Sequence, residues 1–372
     1  MNLASLALRN LRRRPVRSSL SILGIGLAVG SALALMSLSH SIKDSTRAGL
    51  DEMGDDLVVM QKGASDIFGG FIAEDTVASV TVVPGVARAS GELFMFAPSG
   101  PDRNMLTQGW ADDSYLWKKV PLRAGRVPVA GERGVAVLGE GAATALGKKL
   151  GDDVAVLGAT FRVIGIANYT ALINRGLILM PLSDLQKVSL RPNQVTVIHV
   201  NVVRGDAGGN LEQVKTAIEA LGNLTASTAN EVLNKDRNFA ILDAVSLAIA
   251  LIAVAMGAIY VLNALVMATQ ERTREIGIFA AIGWSRPRIM ASILVEGILL
   301  CLIGCALGLA LSFAAATAFP HIPAIGDLVS FSPSATLIAA TLAAAFVLCV
   351  LGALFPAWRA IRMLPAEALR RI

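Results

Sequence analysis

Four long apolar runs decide what this chain can become. Ser18 to Ser41, Ala244 to Gln270 and Leu328 to Trp358 contain no Asp, Glu, Lys or Arg, and Ile289 to Phe319 is interrupted only by Glu296. Each exceeds the roughly 20 residues a helix needs to cross the hydrocarbon layer. Inside that layer every backbone polar group must be satisfied within the segment, so each run is expected to be helical. A mean hydropathy of +0.61, with 54% hydrophobic and 16% charged residues, excludes a soluble class for 372 residues.

The arginines give the expected topology. Arg9, Arg12, Arg13, Arg14 and Arg17 precede the first run, Arg272, Arg274, Arg286 and Arg288 follow the second, and Arg359, Arg362, Arg370 and Arg371 follow the fourth. By the positive-inside rule both termini and the loop after the second span are cytoplasmic. The expected organisation is a cytoplasmic segment at 1–17, a first span at 18–41 and an extracytoplasmic α+β domain with helical stalks at 42–238. A second span at 239–270, a coupling-helix loop at 271–288 and a third span at 289–319 follow. A short external loop at 320–333, a fourth span at 334–356 and a cytoplasmic tail at 357–372 complete it. These basic runs hug span ends, so nucleic-acid binding is not expected. The first run is too long for the core of a cleaved signal peptide, and a retained anchor is expected.

The inserted segment has soluble composition. Val77 to Val83 and Val86 to Phe96 read as strands about a Pro84–Gly85 turn, and Val154 to Leu157, a Gly158–Ala159 turn and Phe161 to Ile166 read as a hairpin. Val195 to Val203 alternates as a strand, and Leu211, Val214, Ile218 and Leu221 mark one amphipathic helix. No proline lies between Pro15 and Pro84, or between Pro192 and Pro287, so the first helix is expected to run through Leu50. Ala229 to Thr269 as one helix would be about 60 Å long. Ser332 and Pro333 read as the N-cap and first residue of the fourth span, closing at Phe355–Pro356.

Glu271 to Ile289, ERTREIGIFAAIGWSRPRI, is the candidate functional stretch. Ile276, Phe279, Ala280 and Gly283 recur at helical spacing, which suits docking into a groove on a cytoplasmic partner; a loop that merely fixes topology is the alternative. Gly283 offers a helix stop and Pro287 a break. Glu296 pairs with an arginine of this loop or snorkels to the interface. Gly26 and Gly30 form one GxxxG pair and Gly304 and Gly308 another, residues for close helix packing. Cys301, Cys305 and Cys349 fall inside spans and read as packing residues.

No catalytic site is expected. Gly141 to Lys149 has the wrong spacing for a phosphate loop, and His40, His199 and His321 form no HExxH.

Several stretches together resemble the permease subunits of MacB/LolC/FtsX-type ABC transporters. SLALRNLRRRPVRSSLSILGIGLAVG looks like the family's first helix and span. GERGVAVLGEGAATALG, KKLGDDVAVLGATFRVIGI and GLILMPLSDLQKV look like its external domain. ERTREIGIFAAIGWSRPRI resembles its coupling helix, and FPAWRAIRMLPAEALRRI its C-terminal ending. The resemblance implies a mechanotransmission permease working as a dimer, with a second copy or a paralogue. It would bind no cofactor itself, ATP and Mg belonging to a partner ATPase on the inner face. By position Glu271, Arg272, Arg274, Glu275, Ile276, Gly277, Phe279, Ala280 and Gly283 inherit the coupling role. The implied function is substrate export or extraction at the outer face of the bacterial inner membrane, with a periplasmic adaptor or substrate carrier as a further partner beside membrane lipid. A signalling permease that activates an external hydrolase, and a membrane-anchored receptor or scaffold, are the alternatives.

Overall fold

The computed structural model describes residues 3–64, 69–100, 103–203, 211–235, 237–318 and 333–362. They fall into two compact units, a membrane unit within 1–39, 243–319 and 331–372, and an inserted unit within 40–242.

In chain order, α1 (Leu3–Arg13) precedes α2 (Pro15–Met53), whose first position is a proline pre-set for helical φ. The 39 residues of α2 make a helix of about 58 Å that belongs to the membrane unit up to Ser39 and to the inserted unit from His40. The inserted unit opens with β1 (Leu57–Gln61), β2 (Ile72–Ala73), α3 (Thr76–Thr81), β3 (Val86–Pro98) and β4 (Asn104–Trp110). Next come β5 (Leu122–Gly125), β6 (Val135–Gly139), α4 (Glu140–Leu146), β7 (Asp153–Val156) and β8 (Ala159–Ala167). It closes with α5 (Leu172–Arg175), β9 (Leu177–Pro181), α6 (Leu182–Val188), β10 (Gln194–Val195), β11 (Val197–Val202), α7 (Leu211–Ala220), β12 (Leu224–Ser227) and α8 (Ala229–Lys235). The remaining helices are α9 (Arg237–Glu271), α10 (Thr273–Ala281), α11 (Arg286–Ala318) and α12 (Ala335–Ile361). Of these, α2, α9, α11 and α12 are long and apolar enough to cross a membrane.

One sheet of the order β12-β1-β11-β3-β4-β9-β6-β8-β5 runs through the inserted unit, with β7 paired to β8. Its ladders are antiparallel except β4–β9 and β6–β8. Alternate residues feed two apolar layers. Leu57, Val59, Leu93, Ile178 and Ile198 pack beneath α3, α4, α6 and α7, while Val58, Phe94, Leu106, Leu179 and Val197 pack with Met53 of α2 and Val232 of α8. The structure therefore has four transmembrane helices with an α+β domain between the first and second.

Several expectations need correction. The stretch expected as a strand from Val77 is helical through Thr81 (α3), because this lays Val80 and the following Val83 into the sheet's apolar layer while Val82 stays 80% exposed. The strand expected over Val195–Val203 is split at Thr196, whose hydroxyl accepts from Phe94 N–H and donates to Glu92 C=O, so Val195 pairs with β2 instead. The hairpin is present, but its two-residue turn is Leu157 (φ 51°) and Gly158 (φ 81°) rather than Gly158–Ala159, because Ala159 already pairs with Val156. The single helix expected over Ala229–Thr269 is not contradicted: α8 and α9 are helical on either side of Asp236, which lies outside the described residues. Ser334, not Ser332, caps α12, accepting from Leu337 N–H; Ser332 itself lies outside the described residues. The fourth helix does not close at Pro356 but continues to Ile361. Pro287 sits in the first turn of α11, where its missing N–H costs nothing, so it starts a helix rather than breaking one. Of the tail, residues beyond Arg362 lie outside the described residues.

Within the membrane unit α2 crosses α11 at the two GxxxG pairs. A Cβ on Gly308 would lie 2.8 Å from Val29 Cβ, 2.9 Å from Gly26 O and 3.0 Å from Gly30 N. One on Gly304 would lie 2.6 Å from Ile25 Cγ2, and one on Gly26 2.9 Å from Leu307. Gly26, Gly30, Gly304 and Gly308 thus let two backbones touch inside a single chain. Gly308→Leu is expected to force this crossing apart at a cost of about 1–3 kcal/mol, read as a lower unfolding midpoint of the detergent-solubilised chain. Gly257→Ala, whose Cβ would meet only Ala28 at 3.8 Å, serves as the neutral control. Equal midpoints for the two variants would contradict the crossing.

Candidate functional site

The stretch after α9 is a helix with a locked exit. Ile282 ends α10, Gly283 adopts φ +93°, and Trp284 N–H reaches back to Phe279 C=O at 2.9 Å while Gly283 N–H reaches Ala280 C=O at 3.1 Å. This is the Schellman pattern, and its usual apolar clasp is here the stacked pair Phe279–Trp284, with centroids 4.6 Å apart. Arg288 covers the other face of Trp284 at 4.6 Å. Only glycine takes that φ without strain, which fixes the role of Gly283.

The entrance is held by charge. Arg272, between α9 and α10, donates through Nε to Glu275 at 2.8 Å and through Nη1 to Glu296 at 3.3 Å. Glu296 is 4% exposed, and its Oε2 also accepts from Asn10 Nδ2 at 3.4 Å. Of the two readings of Glu296, the geometry is that of a buried ion pair with a loop arginine, not a snorkelling carboxylate. Glu271 lies 2.9 Å from Arg17 and 3.5 Å from Arg14. Two clusters that adjoin at the Glu271–Arg272 peptide thereby tie α1, α2, α9, α10 and α11 together.

These contacts divide the expected site residues. Thr273 and Gly277 are buried, and Ile276 and Ala280 pack on the bundle core beside Ile289 and Ile293. The expectation that Ile276 and Ala280 belong to a partner-facing stripe is therefore corrected: helical spacing shows which residues share a face, not what that face meets. Phe279 and Gly283 serve the helix exit, and Arg272 the entrance. Facing outward are Arg274, Glu275, Ile278 and Ile282, the last 73% exposed. Ile278 and Ile282 fall off the apolar stripe that the spacing marks, so periodicity alone does not single them out. Cys301, Cys305 and Cys349 pack in the same bundle core.

A second charged cluster, unforeseen in the sequence, lies inside the inserted domain. His199 of β11 is buried, with Nδ1 2.6 Å from Asp55 and Nε2 2.5 Å from Glu92. Trp110 Nε1 donates to Glu92 at 3.1 Å and Tyr115 donates to Asp55 at 2.7 Å, with Lys119 3.7 Å from Asp55. Burial alone would lower the pKa of His199, but the two carboxylates push it up to about 10. Burial raises the Asp55 carboxyl, and His199, Tyr115 and Lys119 overcome this and hold it below its ordinary value. Three residues from three distant strands or loops carry no spacing signal. The only hint was one histidine among the apolar residues of a strand. Among the described residues no group of three or more His, Cys, Asp or Glu is placed to hold a metal ion.

The family model of the MacB-like periplasmic core domain matches residues 18–221, more than half of the chain, and that of the FtsX-like permease C-terminal domain matches 247–365. The chain is an ABC transporter permease of the MacB/FtsX type. An uncharacterized ABC transporter permease of Mycobacterium tuberculosis is 28% identical to this MacB/FtsX-type permease over 326 residues, covering 86% of the chain and 88% of the relative. The macrolide export ATP-binding/permease protein MacB of Escherichia coli is 25% identical over 340 residues, covering 83% of the chain but 51% of MacB. The permease thus spans about half the length of that MacB. The periplasmic region of MacB from Actinobacillus actinomycetemcomitans aligns at 14% identity with a TM-score of 0.39, covering 50% of the chain and 95% of that region. Membership of the ABC permease family implies an ATPase partner in general.

His199→Gln should strand two buried carboxylates and destabilise the inserted domain by about 3–5 kcal/mol, measured by hydrogen exchange at β11 in the full chain. Because the folded pKa of His199 lies above its ordinary 6.5, its stabilisation is complete below pH 6.5 and is lost as pH rises through about 10. The wild type should therefore lose protection at β11 across that window and His199→Gln should not; parallel pH profiles would refute the buried imidazolium.

Proposed function

We propose that this permease couples ATP hydrolysis by a separate ATPase subunit to motion of its inserted domain, for export or extraction of a substrate at the outer face of the inner membrane. One observation carries the reading: α10 is bolted to the bundle through its inner face and both ends, and leaves Arg274, Glu275, Ile278 and Ile282 outward. A short helix that cannot move without its bundle, with an amphipathic outer face, suits docking into a groove on an ATPase. The arginine distribution supports a cytoplasmic location for that face and for both termini. The unbroken α2 supports transmission, since a hydrogen-bonded helix passes displacement along its axis.

A separate ATPase is favoured because the Mycobacterium tuberculosis relative, matched over 88% of its length, is itself named a permease. ATP and Mg then belong to the partner, and Glu271, Arg272, Gly277, Phe279 and Gly283 act by holding α10 rather than by touching it. A dimer with a second copy or a paralogue, and a periplasmic adaptor or carrier, complete the proposed assembly.

The test uses full-length permease co-expressed with the ATPase subunit that co-purifies with it. Ile278→Ser with Ile282→Ser is expected to lower permease-dependent ATP hydrolysis roughly 10- to 100-fold, as for an apolar contact of about 1.5–3 kcal/mol, with an unchanged unfolding midpoint because both side chains are exposed. Undiminished hydrolysis in the folded double variant, or no ATPase in the purified complex, would overturn the proposal.

A further inference from the structure

We propose that the cavity between the α1–α2 junction and the last three turns of α9 is a binding site for the headgroup of an anionic phospholipid. The cavity, of about 470 Å³, is lined at one end by Arg13, Arg14 and Arg17 together with Glu271. Its volume falls within the range of small-molecule sites. Three guanidinium groups and one carboxylate leave a net charge of +2 (3 − 1) at this mouth. Arg17 is taken up by Glu271 at 2.9 Å, whereas Arg14, 60% exposed, reaches it only at 3.5 Å, and Arg13 is exposed. Two cations are thus positioned to receive a phosphate, which a guanidinium binds through paired N–H donors.

The opposite end is not that of a simple anion site. From Glu271 the cavity extends along α9 to Tyr260, about 16 Å of helix. Leu20 and Met267, both largely exposed, line it about one turn from Arg17 and Glu271, and Ser21, Asn263 and Tyr260 line it further along the two helices. The Tyr260 ring lies so close on Gly24 that a Cβ there would stand 2.7 Å from it, which fixes the ring as a wall. A basic mouth that opens directly onto exposed apolar side chains suits a phosphate joined to an acyl chain. A free phosphate would leave the apolar wall unused. A second copy of this chain meeting the face about a two-fold axis would bring its own arginines towards these, so a lipid is the better complement.

The placement gives the lipid a lever. Phosphate on Arg14 competes with Glu271, the last residue of α9 and one residue before Arg272 at the entrance to α10.

The experiment is native mass spectrometry of the full-length, delipidated permease titrated with phosphatidylglycerol, phosphatidylcholine of the same acyl chains, or inorganic phosphate. Phosphatidylglycerol is expected to bind about tenfold more tightly than phosphatidylcholine, and Arg13→Gln with Arg14→Gln to remove most of that preference, at roughly the contribution of one basic residue near an anionic surface for each. A diazirine-bearing phosphatidylglycerol is expected to label Leu20 or Met267. Equal affinity for the two lipids, or an unchanged preference in a double variant that keeps the wild-type unfolding midpoint, would overturn the site. Displacement of the labelled lipid by millimolar inorganic phosphate would mark an ion site and overturn it too. So would a Leu20→Cys variant that cross-links two chains in bilayers while excluding the labelled lipid.

Discussion

A carboxylate inside an apolar helix calls for a cation, and the geometry of the loop between α9 and α11 follows from that requirement. Glu296 is carried by α11, yet the residue that answers it, Arg272, comes from the junction between α9 and α10. The pair forms only if the chain turns back at Arg272 and lays α10 against the start of α11. Breaking such a buried pair leaves an uncompensated charge, so the turn is held by the same term that makes the carboxylate tolerable. The Schellman exit with its Phe279–Trp284 stack then fixes the other end of α10. An ordinary surface loop would need neither restraint.

The inserted domain solves a comparable problem with opposite signs. There an imidazolium stands between two carboxylates, Lys119 adds a second cation near Asp55, and Trp110 and Tyr115 supply hydrogen bonds. All lie on the sheet face that packs with the end of α2 and with α8, the apolar layer holding Met53 and Val232. Polar satisfaction thereby specifies where β1, β3 and β11 meet, whereas the opposite face is a mainly aliphatic layer with Phe161 and Met180 among its members. Such networks restrict a core to one arrangement more than they stabilise it.

What could be read from the sequence divides along the range of the interactions. Spans were legible because the bilayer imposes length and composition residue by residue, and α2 was legible beyond the membrane because proline is absent up to Pro84. The Leu157–Gly158 hairpin and α7 were legible from local turn chemistry and period. Val77 to Val83 misled because valine and threonine favour strands, while the docked position on the sheet required a helix. The Thr196 split depends on a hydroxyl standing in for a ladder bond, which no alternation displays. The stripe on α10 was seen and its direction was not, since the inward face is decided by Glu296, 24 residues beyond Arg272. His199 looked scattered because its partners are brought together only by the sheet.

The strand order has a consequence for biogenesis. β1 is among the first strands to be synthesised, yet it pairs with β11 through Leu57 and Val200 and with β12 through Val58 and Ser227. At translation rates of about 5–20 residues per second, its neighbours emerge on the order of ten seconds later. Until then a run of Leu-Val-Val-Met stands with both edges open, a template for wrong pairing. Nascent chains of this permease should therefore depend on holding factors beyond the ribosome throughout that interval, and products terminated before Ser227 should be cleared by proteases rather than accumulate.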